Sequence, residues 1–370
     1  MDHRRTASTR KKLLAWYAVE ARDLPWRGTD DPYAILVSEV MLQQTRVETV
    51  LDYYARFLRR FPDFRTLATA SIDDVLKTWE GLGYYRRAHN LHRSAGIVVA
   101  DYEGRLPETA SELRKLPGIG PYTAAAVASI AFSQDEPVLD GNVVRVLARL
   151  HRIGGDSSKA ATRKLLLQGA ERLTADGDAS SINQALMDLG ARICRPRSPR
   201  CAVCPLCGEC DAHHAGEEFV FPEKRKRAPI PRIVGVAGII WDAAPFADGA
   251  RILISQRKAD DMLGGLWEFP GGRVEEGEEL EEALVRELRE ELAIESVVVE
   301  PFMAVKHAYT HFRVTLHFFH CCHTGGEPVA IECDAWAWTP VEELDRFAFP
   351  TADRRVLEAL TKRNAEGGPA

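Results

Sequence analysis

"LPGIGPYTAAAV", residues 116–127, sets two glycines and two prolines directly before a run of alanines. Proline suits the first turn of a helix, where its missing N–H would be unpaired anyway, and glycine reaches backbone conformations closed to other residues. The stretch therefore reads as a tight turn at Gly118 and Gly120 entering a helix at "PYTAAAVASIAF", with "SELRKL" ending the helix before it and Pro117 as its stop. Free backbone N–H groups at such a start, aligned with the helix dipole, suit an anion such as a DNA backbone phosphate. By itself the pattern is equally that of a close-packed helical hairpin.

Outward from this turn, helical periodicity dominates residues 8–215. In "VSEVMLQQTRVETVLDYYARFLRRF", Val40, Val47, Leu51, Tyr54 and Leu58 share one stripe, and Ser71 is placed to cap "SIDDVLKTWEGLGYY". No alternating pattern competes, so residues 1–217 are expected to form an all-α domain. From residue 233 the character changes. "IVGVAGIIWD", "ARILISQR", "ESVVVEPFMAV" and "FRVTLHFFHC" read as strands, with two helical segments among them, giving an α+β domain over 233–370. Between the two, "FPEKRKRAPIPR" puts four consecutive basic residues, Lys224 to Arg227, before prolines, so residues 218–232 read as an extended linker able to touch phosphates.

Charge divides at the same place. Residues 1–228 carry 34 basic against 29 acidic side chains and residues 229–370 carry 14 against 25, within a net charge of −6 for the 370-residue chain. A basic half facing a polyanion and an acidic half with another task fit that contrast. No run approaches the roughly 18 apolar residues of a membrane span, and the start "MDHRRTASTRKKLL" lacks a secretion signal's apolar stretch, so a cytoplasmic, nucleoid-associated monomer is expected. Five of eight cysteines fall between 194 and 210, which in an intracellular protein favours a metal site over disulfides.

Two carboxylates stand out. Asp140 directly precedes Gly141 and an apolar-periodic run, the position of a helix cap. Glu39 lies within "AILVSEVML", whose apolar neighbours would desolvate it and raise its pKa. The hairpin with its downstream Asp140 resembles the helix-hairpin-helix superfamily of base-excision DNA glycosylases. Cys194, Cys201, Cys204 and Cys210 are separated by six, two and five residues, the spacing of the [4Fe-4S] loop in the endonuclease III and MutY branches; zinc is the competing occupant. "LPWR", "SEVMLQQT", "GLGYY", "LPGIGPYT" and "VLDGNV" occur in the order found in MutY adenine glycosylases.

That resemblance implies a monofunctional enzyme that removes adenine opposite 8-oxoguanine or guanine in double-stranded DNA. Where the related bifunctional enzymes carry a lysine that attacks the sugar, this chain has Tyr122, which cannot form a Schiff base. The chemistry asks for a neutral acid to protonate adenine N7 and an anion to face the oxocarbenium-like sugar. By resemblance Glu39 is the acid and Asp140 the anion, and Tyr122 and Asn142 hold the site. Helix N–H groups are expected to favour the ionised form of Asp140. The resemblance also places Arg22 and Trp26 near the adenine pocket, has Gln44, Thr45 and Tyr84 probing the opposite strand, and directs Arg195, Arg197 and Arg200 of the cysteine loop toward DNA.

In the second half, "GGRVEEGEELEEALVRELREELAI" follows the Nudix pattern from Gly272 through Glu278 to Arg286–Glu291, departing at Ala293 where glycine is usual. If the turn there needs positive φ, alanine costs on the order of 1 kcal/mol. Glu287, Glu290 and Glu291 share a helical face and could hold Mg²⁺; Glu291 falls in register with Leu284 and Leu288 on the core side, a position that a merely solvated acidic helix would not choose. In MutY relatives this domain recognises 8-oxoguanine, and Tyr309, Thr310 and His311 stand where the family has Phe-Ser-His. Two alternatives stay open: a bifunctional chain that also hydrolyses nucleoside triphosphates, and a damage-binding scaffold without catalysis.

Overall fold

The computed structural model describes residues 3–175, 177–223, 230–309 and 312–366. Thr310, His311 and the basic run Lys224 to Arg227 lie outside them. The helices and strands follow in the order α1 (His3–Glu20), α2 (Pro32–Leu42), α3 (Val47–Arg60), α4 (Phe64–Thr69), α5 (Ile72–Trp79), α6 (Arg86–Asp101), α7 (Ala110–Leu113), α8 (Pro121–Phe132), α9 (Gly141–Leu150), α10 (Ala160–Thr174), α11 (Ala179–Arg192) and α12 (Asp211–His214). Then come β1 (Arg232–Trp241), β2 (Arg251–Arg257), β3 (Trp267–Glu268), α13 (Leu280–Leu292), β4 (Glu295–Ala308), β5 (Arg313–Gly325), β6 (Cys333–Pro340) and α14 (Thr351–Ala365). They form two compact units, Met1–Thr69 with Asn90–Arg227, and Ala70–His89 with Ala228–Ala370.

In the first unit, α2 begins at Pro32 behind Asp31, whose side chain accepts from the Tyr33 N–H, and every residue from Tyr33 to Met41 is buried. A helix apolar all round belongs inside a core, and α2 packs on α8. The stripe read from Val40 to Leu58 is not one continuous helix. The chain breaks after Leu42, Gln44 takes φ of 58°, and α3 restarts at Val47 to bury Val50, Tyr54 and Phe57.

The opening turn holds with two amendments. The preceding helix, α7, ends at Leu113, so Pro117 is not what stops it; α8 starts at Pro121 with Gly120 as its cap residue. Gly118 has φ of +74°, and a Cβ there would stand 2.6 Å from the Asn90 amide nitrogen, so the close approach is to α6 of the protein itself. Gly120 has nothing within 4 Å of where its Cβ would lie, leaving that side open.

In the second unit β1 and β5 run parallel along ten residue pairs, and the other pairings are antiparallel. The path is β3-β2-β1-β5-β4, with β6 on β2. One face buries Leu284, Leu288 and Leu292 of α13 against Val236, Ile240 and Phe319; the other buries Val356, Leu357 and Leu360 of α14 against Ile239, Trp241 and Phe318. Residues 70–89 join this unit through bonds such as that from the Phe349 N–H to the Glu80 carboxylate, 2.8 Å.

Candidate active site

Asp140 caps α9. Its carboxylate accepts from the Val143 N–H at 2.7 Å and from the Asn142 amide at 2.8 Å. Arg145, one turn on, fixes Asn142 from the other side with a 2.8 Å bond to its Oδ1, while donating to the carbonyls of Gly190 and Cys194 at 2.8 and 2.7 Å. Gly190 lets α11 approach, since a Cβ there would lie 2.6 Å from the Asn142 Cβ.

Glu39 on α2 is 5% exposed, and its Oε2 has no hydrogen-bond partner. Burial pushes its carboxyl up to about 7; the Tyr122 hydroxyl favours its anion, nearby Asp140 opposes ionisation, and Arg27 favours it. Such a carboxyl is poised near neutrality, where a general acid works best. Tyr122 on α8 is driven well above its ordinary value, chiefly by burial and then by the Glu39 and Asp140 charges, so it is a neutral phenol, and its hydroxyl donates to the Met187 sulfur at 3.4 Å. For Asp140 the structure reverses the expected balance. Burial outweighs the Val143 and Asn142 bonds and raises its carboxyl above the ordinary value.

Glu39 and Tyr122 open onto a pocket of about 50 Å³, lined also by Arg22, Trp26, Arg27, Gln184 and Met187. That space suits a few waters rather than a purine, so the pocket must widen for a base to enter. Trp26 is 6% exposed and stands edge-on to Tyr54. Arg22 and Trp26 thus meet Glu39 and Tyr122, with Asp140 beside them. Gln44 and Thr45 lie in the break between α2 and α3. Tyr84, in the second unit, is 38% exposed with φ of 51°. Of the tripeptide, Tyr309 is described: it stacks between His307 and Phe312, at 4.5 and 4.8 Å.

Sequence reasoning missed Arg27, Gln184 and Asp188. Arg27 stood in the quoted "LPWR", and Asp188 lies in the otherwise apolar "ALMDLGA", where a charged residue at helical core spacing was the available signal.

All eight cysteines are unpaired. Cys194 follows α11, and Cys201, Cys204 and Cys210 are spaced by two short 3₁₀ turns, with Arg195, Arg197 and Arg200 exposed between. The Arg149 guanidinium donates to the Cys194 sulfur at 3.3 Å. Burial, with mutual repulsion, pushes the Cys201 and Cys204 thiols up to about 11 and 12. Among the described residues no three of these cysteines close to the 4.8 Å at which Cys201, His213 and Glu218 gather. One tetrahedral zinc with bonds of about 2.3 Å would need its sulfurs closer than that. A polynuclear cluster, whose ligands stand further apart, fits the donor set and would ionise the thiols.

The Nudix-like helix α13 behaves otherwise. Arg286 bonds Glu278 at 2.8 Å, Glu287 at 2.9 Å and Glu290 at 3.0 Å. Glu291 turns inward as its register implied, accepting from the Gly271 N–H at 3.2 Å, and burial pushes it up to about 8. Glu287, Glu290 and Glu291 do not gather to single-ion spacing.

Residues 37–172 match the HhH-GPD superfamily of base excision DNA repair proteins, and residues 243–359 match the NUDIX domain family. Fold and site thus define a helix-hairpin-helix DNA N-glycosylase with a Nudix-like domain. The chain is 35% identical to the adenine DNA glycosylase of Rattus norvegicus, across 94% of this chain and 77% of that protein, and 35% identical to that of Homo sapiens, across 94% and 73%. A solved thermostable thymine-DNA glycosylase is 32% identical with a TM-score of 0.53, covering 57% of this chain and 98% of its own. The chain belongs to the adenine DNA glycosylase family. Among the described residues no helix is long and apolar enough to cross a membrane.

Proposed function

We propose that the protein excises adenine mispaired with 8-oxoguanine or guanine and leaves the strand intact. The observation that carries this is Glu39, buried, pushed up to about 7 and sharing one pocket with Tyr122, with the Asp140 charge near enough to oppose its ionisation. The Glu39 carboxyl gives its proton to N7 of an extruded adenine. The C1′–N9 bond then breaks with its electron pair leaving on the base, and the Asp140 carboxylate stabilises the oxocarbenium-like sugar. Water adds at C1′ and returns a proton to Glu39. The positive charge that develops on the sugar favours the Asp140 anion that burial opposes, and the Val143 and Asn142 bonds work in the same direction. Tyr122 offers no amine, so no Schiff base forms and no strand break follows.

The hairpin with Gly118 and Gly120 takes a DNA phosphate, with Gln44, Thr45 and the exposed Tyr84 on the opposite strand. The second unit reads the oxidised guanine through Tyr309, Thr310 and His311. Cys194, Cys201, Cys204 and Cys210 would hold a [4Fe-4S] cluster, which stiffens the loop bearing Arg195, Arg197 and Arg200. Glu287, Glu290 and Glu291 are the box carboxylates that would hold Mg²⁺ together with a nucleotide's phosphates. Labelled duplex carrying adenine opposite 8-oxoguanine, incubated with and without hot alkali, tests the reading. Breaks are expected only after alkali, and equal breaks without it would contradict the role of Tyr122.

A further inference from the structure

Asp188 on α11 is fully buried, at 0% exposure. Arg27 donates through both terminal nitrogens to its two oxygens at 2.6 and 2.7 Å, a bidentate fork. Arg22 adds its Nε at 2.7 Å and its backbone N–H at 3.1 Å. Burial alone would raise the Asp188 carboxyl, but the bonds from Arg27 and Arg22 outweigh it and hold it as an anion below its ordinary value. Both arginines line the pocket of Glu39.

That arrangement resolves a conflict. A loose guanidinium beside a buried carboxyl stabilises the anion, whereas Glu39 must arrive protonated. The charged and titratable groups facing Glu39 are Tyr122 from α8, Asp140 at the start of α9, and Arg27, the cation among them. Behind them, Tyr17 of α1 faces Arg27, Asp188 and Arg22. We propose that Asp188 is a positioning residue: by holding both Arg27 and Arg22 it keeps their guanidiniums off Glu39, so that Glu39 remains a neutral acid. The proposal rests on the reading of Glu39 as the acid.

In Asp188→Asn the amide offers one acceptor where two were used and turns N–H donors toward the arginines, so Arg27 is free to pair with Glu39. The test is the pH dependence of single-turnover adenine release from a duplex with adenine opposite 8-oxoguanine. The wild type loses rate as pH rises through the Glu39 titration. Asp188→Asn is expected to move that limb about one unit lower, roughly a tenfold loss on the alkaline side, with recovery to within about threefold at pH 5.5. The double variant Asp188→Asn/Arg27→Gln should return the limb toward wild type. A limb at the wild-type position, or a uniform loss that the double variant does not repair, overturns the proposal and leaves Asp188 a structural residue. Should Asp188→Asn not fold, Arg27→Gln alone must raise the limb, and an unmoved limb is again a refutation. If Glu39→Gln keeps both the rate and the limb, the failure lies with the acid itself.

Discussion

Asn142 donates its side-chain amide to Asp140 at 2.8 Å, two residues back along the chain. The same carboxylate caps α9 through the Val143 N–H, so one side chain serves the fold while its charge acts on Glu39 and Tyr122. The two duties can be separated. Asparagine ranks with aspartate as a helix cap, so Asp140→Asn should melt within a few degrees of the wild type. Its rate of adenine release should fall by about 10²–10³-fold, the usual scale for losing a preorganised electrostatic partner. Single-turnover kinetics beside a thermal melt decide it, and a loss under tenfold would free Asp140 from the chemistry.

Burial of Glu39 also has a cost visible in stability. Its carboxyl stands at about 7 in the folded protein against an ordinary 4.5, so the folded state holds the proton more tightly. That contribution is complete below about pH 4.5 and is lost as pH rises through 7. Glu39→Gln, neutral throughout, should therefore gain on the wild type between pH 5 and pH 8 by up to about 3 kcal/mol. Urea unfolding of both proteins at the two pH values measures it; a pH-independent difference would mean that Glu39 titrates normally.

Ala293 ends α13 in the left-handed conformation, at φ of 56°. Glycine occupies that region without a Cβ penalty, so Ala293→Gly should stabilise the protein by about 1 kcal/mol in chemical denaturation. A destabilised variant would show that the αL geometry is not what the native cap requires.

The four-cysteine loop makes a compositional prediction. Purified protein should carry about four iron atoms and matching inorganic sulfide per chain, and Cys204→Ser should lose both, while Cys322→Ser keeps them. Zinc in place of iron in the wild type would reverse the assignment.

Legibility in the sequence followed the physics of each element. The helices with strong apolar periodicity, strands β1, β2, β4 and β5 and the Pro121 helix start were readable because local pattern and burial agree there. β3 is two residues long and β6, "CDAWAWTP", alternates poorly, since its central residues are only half-buried. Neither carries a local signal, and both are held by pairing to β2. The break at Gln44 was hidden because apolar spacing continues in phase across it. In the site, the burial of Glu39 and the capping position of Asp140 were legible from their neighbours in sequence. Asp188 showed only as a charge at core spacing, and its pairing was not legible, because its partners Arg22 and Arg27 lie more than 160 residues away. The sign of the Asp140 shift was misread for a related reason: the cap is local and visible, whereas the burial that overrides it is tertiary.

The most direct measurement of the central claim is release of free adenine by Glu39→Gln from a duplex carrying adenine opposite 8-oxoguanine, under single-turnover conditions with binding measured alongside. Binding should match the wild type within a few-fold, while release falls by about 10²–10⁴-fold because no proton reaches N7. Release at a near-normal rate from the bound duplex would contradict the assignment of Glu39 as the acid, and the account of this site with it.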